Sequence, residues 1–121
     1  MADEITVNLR VQLANSSLPD DFNPGRIQVD QSAVELFKRV VAVGTSEESL
    51  TFTDVTTPGL CYLYNLDSTN YVQYGNATGS YIGRLKPSSF PNLLELDGGA
   101  TTLYLKANTA SCQVLVCVYG V

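Results

Sequence analysis

The stretch CQVLVCVYG, residues 112–120, carries apolar side chains at nearly every position. In an extended chain successive side chains point to opposite faces. Cys112, Val114, Val116 and Val118 therefore line one face, and Leu115, Cys117 and Tyr119 line most of the other. The stretch LCYLYNL, residues 60–66, repeats the pattern: Leu60, Tyr62, Tyr64 and Leu66 oppose Cys61, Leu63 and Asn65. A strand that is apolar on both faces must be covered on both. A two-layer sandwich supplies cover for one face of each sheet. The second face calls for long loops or another subunit, and large exposed apolar patches are rare on monomers. This pattern points to a homo-oligomer.

Working outward, ITVNLRVQL (5–13) alternates strictly, with Ile5, Val7, Leu9, Val11 and Leu13 on one side. That is a strand with one dry and one wet face. ANSSLPDDFNPGR (14–26) reads as a loop by its Asn, Ser, Asp, Pro and Gly content, and RIQVD (26–30) as a short strand. QSAVELFKRVVAVG (31–44) is ambiguous. Ser32 followed by Glu35 matches a capping box, and Val34, Phe37 and Val41 match helical spacing. The β-branched run VVAVG, ending in glycine, favours a strand. Further strands are expected in LTFTDV, LCYLYNL, NYVQYG, SYIGRLK, NLLEL, TTLYLKA and CQVLVCVYG, with turns at Pro58-Gly59 and Asp97-Gly98-Gly99. About eight to nine short strands at regular spacing predict an all-β fold: a single antiparallel β-sandwich, jelly-roll or Ig-like, spanning 1–121 as one domain.

Composition narrows the function. The chain has 121 residues and a net charge of −5. Its bases are scattered apart from Lys38-Arg39 and Arg84/Lys86, whereas direct nucleic-acid binding needs a basic stripe. No apolar run reaches the length of a membrane span. The start MADEITVNLR places Asp3 and Glu4 where a signal peptide carries bases, so synthesis in a cytoplasm is expected. The three cysteines read as small buried hydrophobes. The absence of histidine removes the usual general base and the commonest transition-metal ligand, so no catalytic residue and no cofactor are expected. Asp20, Asp21, Asn23 and Asp30 could offer calcium oxygens, but their spacing is not that of an EF-hand, and turn residues bonding their own backbone explain them. Asn15 and Asn76 match the glycosylation sequon by chance.

Five of the seven tyrosines fall between residues 59 and 87. Tyr62 and Tyr64 share a face, and Tyr71 lies opposite Tyr74, so the rings do not form one platform. Carbohydrate binding predicts exposed tyrosines beside Asn and Asp; assembly predicts tyrosines beside Leu, Val and Cys. Asn65, Asp67 and Asn70 flank a turn whose backbone they can bond. Gly75 is expected to supply a positive φ, and Pro87 to end a strand. Residues 59–87 then read as a three-stranded meander.

The segments Gly44-Thr45-Ser46-Glu47-Glu48, Pro58-Gly59, Asn65-Leu66-Asp67, Thr69-Asn70-Tyr71-Val72, Gly75, Leu85-Lys86-Pro87 and Lys106-Ala107-Asn108-Thr109 resemble a diffuse group of small β-sandwich virion proteins of tailed bacteriophages. The likeness covers about two-thirds of the chain and its motifs are structural. The resemblance implies a non-enzymatic virion component: a capsid decoration (cement) protein, or a tail or neck component. It would be assembled in the host cytoplasm against the major capsid protein or another virion protein. On the strand parity of 60–66 and 112–119, the interface residues would be Tyr62, Tyr64, Leu115, Cys117 and Tyr119. A carbohydrate-binding sandwich is the rival. The chain departs from the group after Pro87, where Ser88-Ser89-Phe90 stands in place of a glycine and an acid.

Overall fold

The structure, a computed structural model, describes residues 5–31, 35–97 and 99–120. Asp3, Glu4, Ser32, Val34 and Gly98 lie outside them. By their contacts the residues fall into two compact units, 1–32 and 33–121.

The first unit is a hairpin. β1 (Ile5–Leu13) pairs antiparallel with β2 (Asp20–Val29). The sequence placed a loop over residues 14–26, yet the strand resumes at Asp20. A register shift opposite Leu9 to Val11 absorbs the loop-forming residues. Gly25 takes φ +80° there, and Asn23 Oδ1 accepts the Gly25 amide at 3.1 Å. Bulges are where strands tolerate Pro24 and a left-handed glycine. Register sets Val7, Leu9, Val11 and Leu13 beside Ile27, Gly25, Phe22 and Asp20 on one face. Arg10 grips the Asp21 carboxylate with two hydrogen bonds, of 3.1 and 2.8 Å.

The second unit is a sandwich of eight strands, all paired antiparallel. They are β3 (Leu36–Val43), β4 (Glu48–Thr51), β5 (Pro58–Asn65), β6 (Val72–Gly75), β7 (Gly83–Leu85), β8 (Asn92–Glu95), β9 (Thr102–Ala107) and β10 (Cys112–Gly120). No helix occurs among the described residues, and the ambiguous segment forms a strand from Leu36. The pairing is nested: β3 with β10, β4 with β9, β5 with β8, β6 with β7. Further pairs β10–β5 and β9–β6 join these ribbons into two four-stranded sheets, β3-β10-β5-β8 and β4-β9-β6-β7. This is a long hairpin rolled up from its β6–β7 tip, the jelly-roll winding, and not the Ig arrangement.

The winding corrects one expectation. β5 lies in one sheet and β6 in the other, so residues 59–87 form no three-stranded meander. The chain crosses between sheets through Leu66–Tyr71, and only β6 and β7 of that stretch pair.

The core lies between the sheets. One face contributes Phe37, Val43, Cys61, Leu63, Val114, Val116 and Val118; the other contributes Val72, Tyr74, Leu85, Leu103, Leu105 and Ala107. Phe52 closes one end, its ring 5.6 Å from that of Phe37 and edge-on. Cys61, Cys112 and Cys117 are free and buried. Burial pushes the Cys61 thiol up to about 12, so it behaves as a small hydrophobe.

Candidate functional site: an apolar sheet face and a buried corner

Strand parity fixes what the sheet β3-β10-β5-β8 turns away from the core. β3 presents Leu36, Lys38, Val40 and Ala42; β10 presents Gln113, Leu115, Cys117 and Tyr119. β5 presents Leu60, Tyr62 and Tyr64, and β8 presents Leu93 and Glu95. Register makes neighbours of Val40, Leu115 and Tyr64, and of Lys38, Cys117, Tyr62 and Leu93. Leu36, Val40 and Leu93 are 51, 54 and 41% exposed. Lys38, Gln113 and Glu95 are the polar members of this otherwise apolar face.

Four of the five expected interface residues, Tyr62, Tyr64, Leu115 and Tyr119, lie half-buried on this face. Cys117 belongs to the face by parity but is fully buried. The Tyr62 and Tyr119 rings are 6.5 Å apart and tilted by 48°. Burial, then contact with the Cys117 thiol, raises the Tyr119 hydroxyl above its ordinary pKa. Leu36, Val40 and Leu93 were missed from the sequence. An ambiguous helix-or-strand segment gives no parity to read, and the doublet Leu93-Leu94 hides which leucine points inward.

The expected turn residues form a second cluster, at the corner where the chain changes sheets. Asn65 is buried, 4% exposed. Its Nδ2 donates to the carbonyls of Asn70 (2.8 Å) and Leu85 (3.0 Å), and its Oδ1 accepts the Asp67 amide at 2.9 Å. Asp67 Oδ2 accepts the amides of Thr69 and Asn70 at 2.9 and 2.6 Å. The Asn70 amide, then that of Thr69, holds the Asp67 carboxyl below its usual range. The Thr109 hydroxyl donates to Asn70 Oδ1 at 2.5 Å, and Asn108 Oδ1 accepts the Tyr71 amide at 2.9 Å. Two segments that carried the phage resemblance, 69–72 and 106–109, are thus bonded to each other.

Gly75 stands apart from this corner and does not have the expected positive φ. It is glycine for another reason: a Cβ there would lie 1.9 Å from the Ser80 carbonyl oxygen. Close backbone approach is the second use of glycine. The positive φ appears instead at Ser88, +51°, in the turn where the resemblance calls for glycine.

The outward face of the sheet β4-β9-β6-β7 is polar. It presents Ser49, Gln73, Arg84, Thr102, Tyr104 and Lys106 by parity, with Gly75 beside Tyr104. The Arg84 guanidinium lies 4.0 Å from the Tyr71 ring centre. Glu47 accepts the Gly79 amide at 2.7 Å and the Tyr81 hydroxyl. Those bonds, the tyrosine's first, lower the Glu47 carboxyl. An open groove beside this face is lined by Asn76, Asp97, Gly99, Thr101, Thr102 and Tyr104. Among the described residues no three His, Cys, Asp or Glu side chains gather to hold a metal.

The tyrosines therefore divide three ways. Tyr74 is core, and its hydroxyl accepts Asn92 Nδ2 at 2.9 Å. Tyr62, Tyr64 and Tyr119 lie on the apolar face. Tyr104 lies on the polar face, Tyr71 is stacked on Arg84, and the Tyr81 hydroxyl donates to Glu47. Family models, curated proteins and solved structures gave no match to this chain.

Proposed function

We propose that this protein is a non-enzymatic structural subunit of a bacteriophage virion: a capsid decoration (cement) protein that stabilises the shell through subunit contacts. One observation carries the reading. The outward face of β3-β10-β5-β8 carries Leu36, Val40 and Leu93 half-exposed and Tyr62, Tyr64, Leu115 and Tyr119 half-buried. Such a face contributes by losing water at a subunit seam. Many copies make modest contacts sufficient. Jelly rolls serve both viral shells and lectins, so the winding alone does not choose between assembly and sugar binding. The surroundings of Tyr62 and Tyr64, with Leu93, Leu115, Val40 and Cys117 as register neighbours, support the assembly reading.

Quantitative mass spectrometry of purified virions tests this. Copies on the order of hundreds place the protein on the capsid, about six to a dozen place it at the neck or tail, and its absence overturns the reading. A second reading has an observation of its own. Tyr104 stands beside Asn76, Asp97, Thr101 and Thr102 in an open groove, an aromatic ring among hydrogen-bonding groups as a glycan site needs. Glycan-array binding that Tyr104→Ala abolishes would favour it.

A further inference from the structure

We propose that the β1–β2 hairpin is an assembly arm whose apolar face packs on the outward face of β3-β10-β5-β8 of a second copy of this chain. The proposal rests on the reading of the protein as an assembly subunit and names the occupant of the seam.

The hairpin sets the need. Leu9, Val11, Leu13, Phe22 and Ile27 are between 43 and 55% exposed, and register puts them on one face. A two-stranded hairpin is marginal in water without cover for such a face. Its opposite face is polar, with Asn8, Arg10, Asp21, Arg26 and Gln28, so one side alone seeks a partner.

The receiving face matches in size and chemistry. β1 and β2 have 9 and 10 residues; β3, β10 and β5 have 8, 9 and 8. At ~3.3 Å per residue both surfaces run about 30 Å. Three strands at ~4.8 Å spacing form a bed wide enough for a two-stranded ribbon, and sheets pack face to face through interdigitating side chains. Charge sits at the margins of both faces: Asp20 at the turn end of the hairpin, and Lys38 and Glu95 on the two edge strands of the sheet, Lys38 in the row of Cys117 and Tyr62. Each copy carries one arm and one bed, so every arm in a closed assembly finds a seat. Reciprocal exchange between two copies would bury roughly the 800 Å² per partner of a standard stable interface.

The experiment places the photo-crosslinking residue p-benzoylphenylalanine at position 22. Full-length chains, half of them isotopically heavy, are mixed before irradiation, and the linked peptides are mapped. The expected result is heavy-to-light links from position 22 into residues 36–43, 60–64 or 113–119. Val11→Asp/Phe22→Asp and Leu36→Asp/Val40→Asp each weaken self-association by about a hundredfold. All four side chains are half-exposed, so the near-ultraviolet dichroism of the sandwich stays unchanged. Links confined to single chains overturn the second copy as occupant. An assembled protein with links elsewhere, or an arm variant that assembles like the wild type, overturns the arm and leaves the shell-subunit reading standing. That reading falls separately, if purified virions lack the protein.

Discussion

Asn65 shows how one residue ties the architecture together. Its amide bonds to both ends of the crossover and to β7, joining the two sheets at a point closed to water. Removing a buried partner leaves its carbonyls unsatisfied, at about 1–3 kcal/mol. Asn65→Ala is therefore expected to lower stability by about 2–3 kcal/mol in denaturant titration. Ser88 makes the opposite case. A left-handed conformation costs a side chain roughly 1–2 kcal/mol, and glycine returns part of that as chain entropy. Ser88→Gly should raise stability by about 0.5–1 kcal/mol, the difference between the two. The acids of the corners give a pH dependence. Asp67 and Glu47 are held below their ordinary values of 3.8 and 4.5. Their contribution is complete above those values and is lost as pH falls through the lowered ones. Thermal melts should thus show a stability loss at acid pH, reduced in Asp67→Asn. The Asn65–Asp67–Asn70 corner was legible because Asx side chains bond their own turn. The role of Gly75 was not, because φ and close approach leave the same letter in a sequence.

At the scale of elements, β5 and β10 were the legible part. Apolar residues at both parities announce two covered faces whatever the fold, and both strands lie in the middle of their sheet. Other elements failed for physical reasons. β2 hides behind Asn23-Pro24-Gly25, which signals a loop, while a bulge lets the same residues stay in a strand. The segment 66–71 is short enough for a hairpin turn and equally able to cross between sheets, and composition does not separate the two. The face itself predicts the behaviour of Tyr62 and Tyr64. They are half-buried outside the core cluster. Truncating interface aromatics commonly costs ~2 kcal/mol or more of binding, against about 3–5 kcal/mol of fold stability for a core ring. The double variant Tyr62→Ala/Tyr64→Ala should stay folded by circular dichroism and lose self-association in sedimentation velocity. An insoluble variant would assign these rings to the fold of the sandwich itself.

At the scale of the molecule, the nested pairing explains how a chain with ordinary composition forms two sheets with unlike outer faces. Rolling a hairpin sends β3, β5, β8 and β10 to one sheet and β4, β6, β7 and β9 to the other. The two central strands of the first, β10 and β5, are apolar on both faces. The eventual contrast is an apolar outer face on one layer and a polar one on the other, and the reading of this protein as an assembly subunit depends on it. Light scattering on the isolated wild-type chain across micromolar concentrations tests that dependence most directly. The account predicts a mass that is a multiple of the 13.1 kDa chain and falls on dilution; a single 13.1 kDa species persisting at every concentration would contradict it.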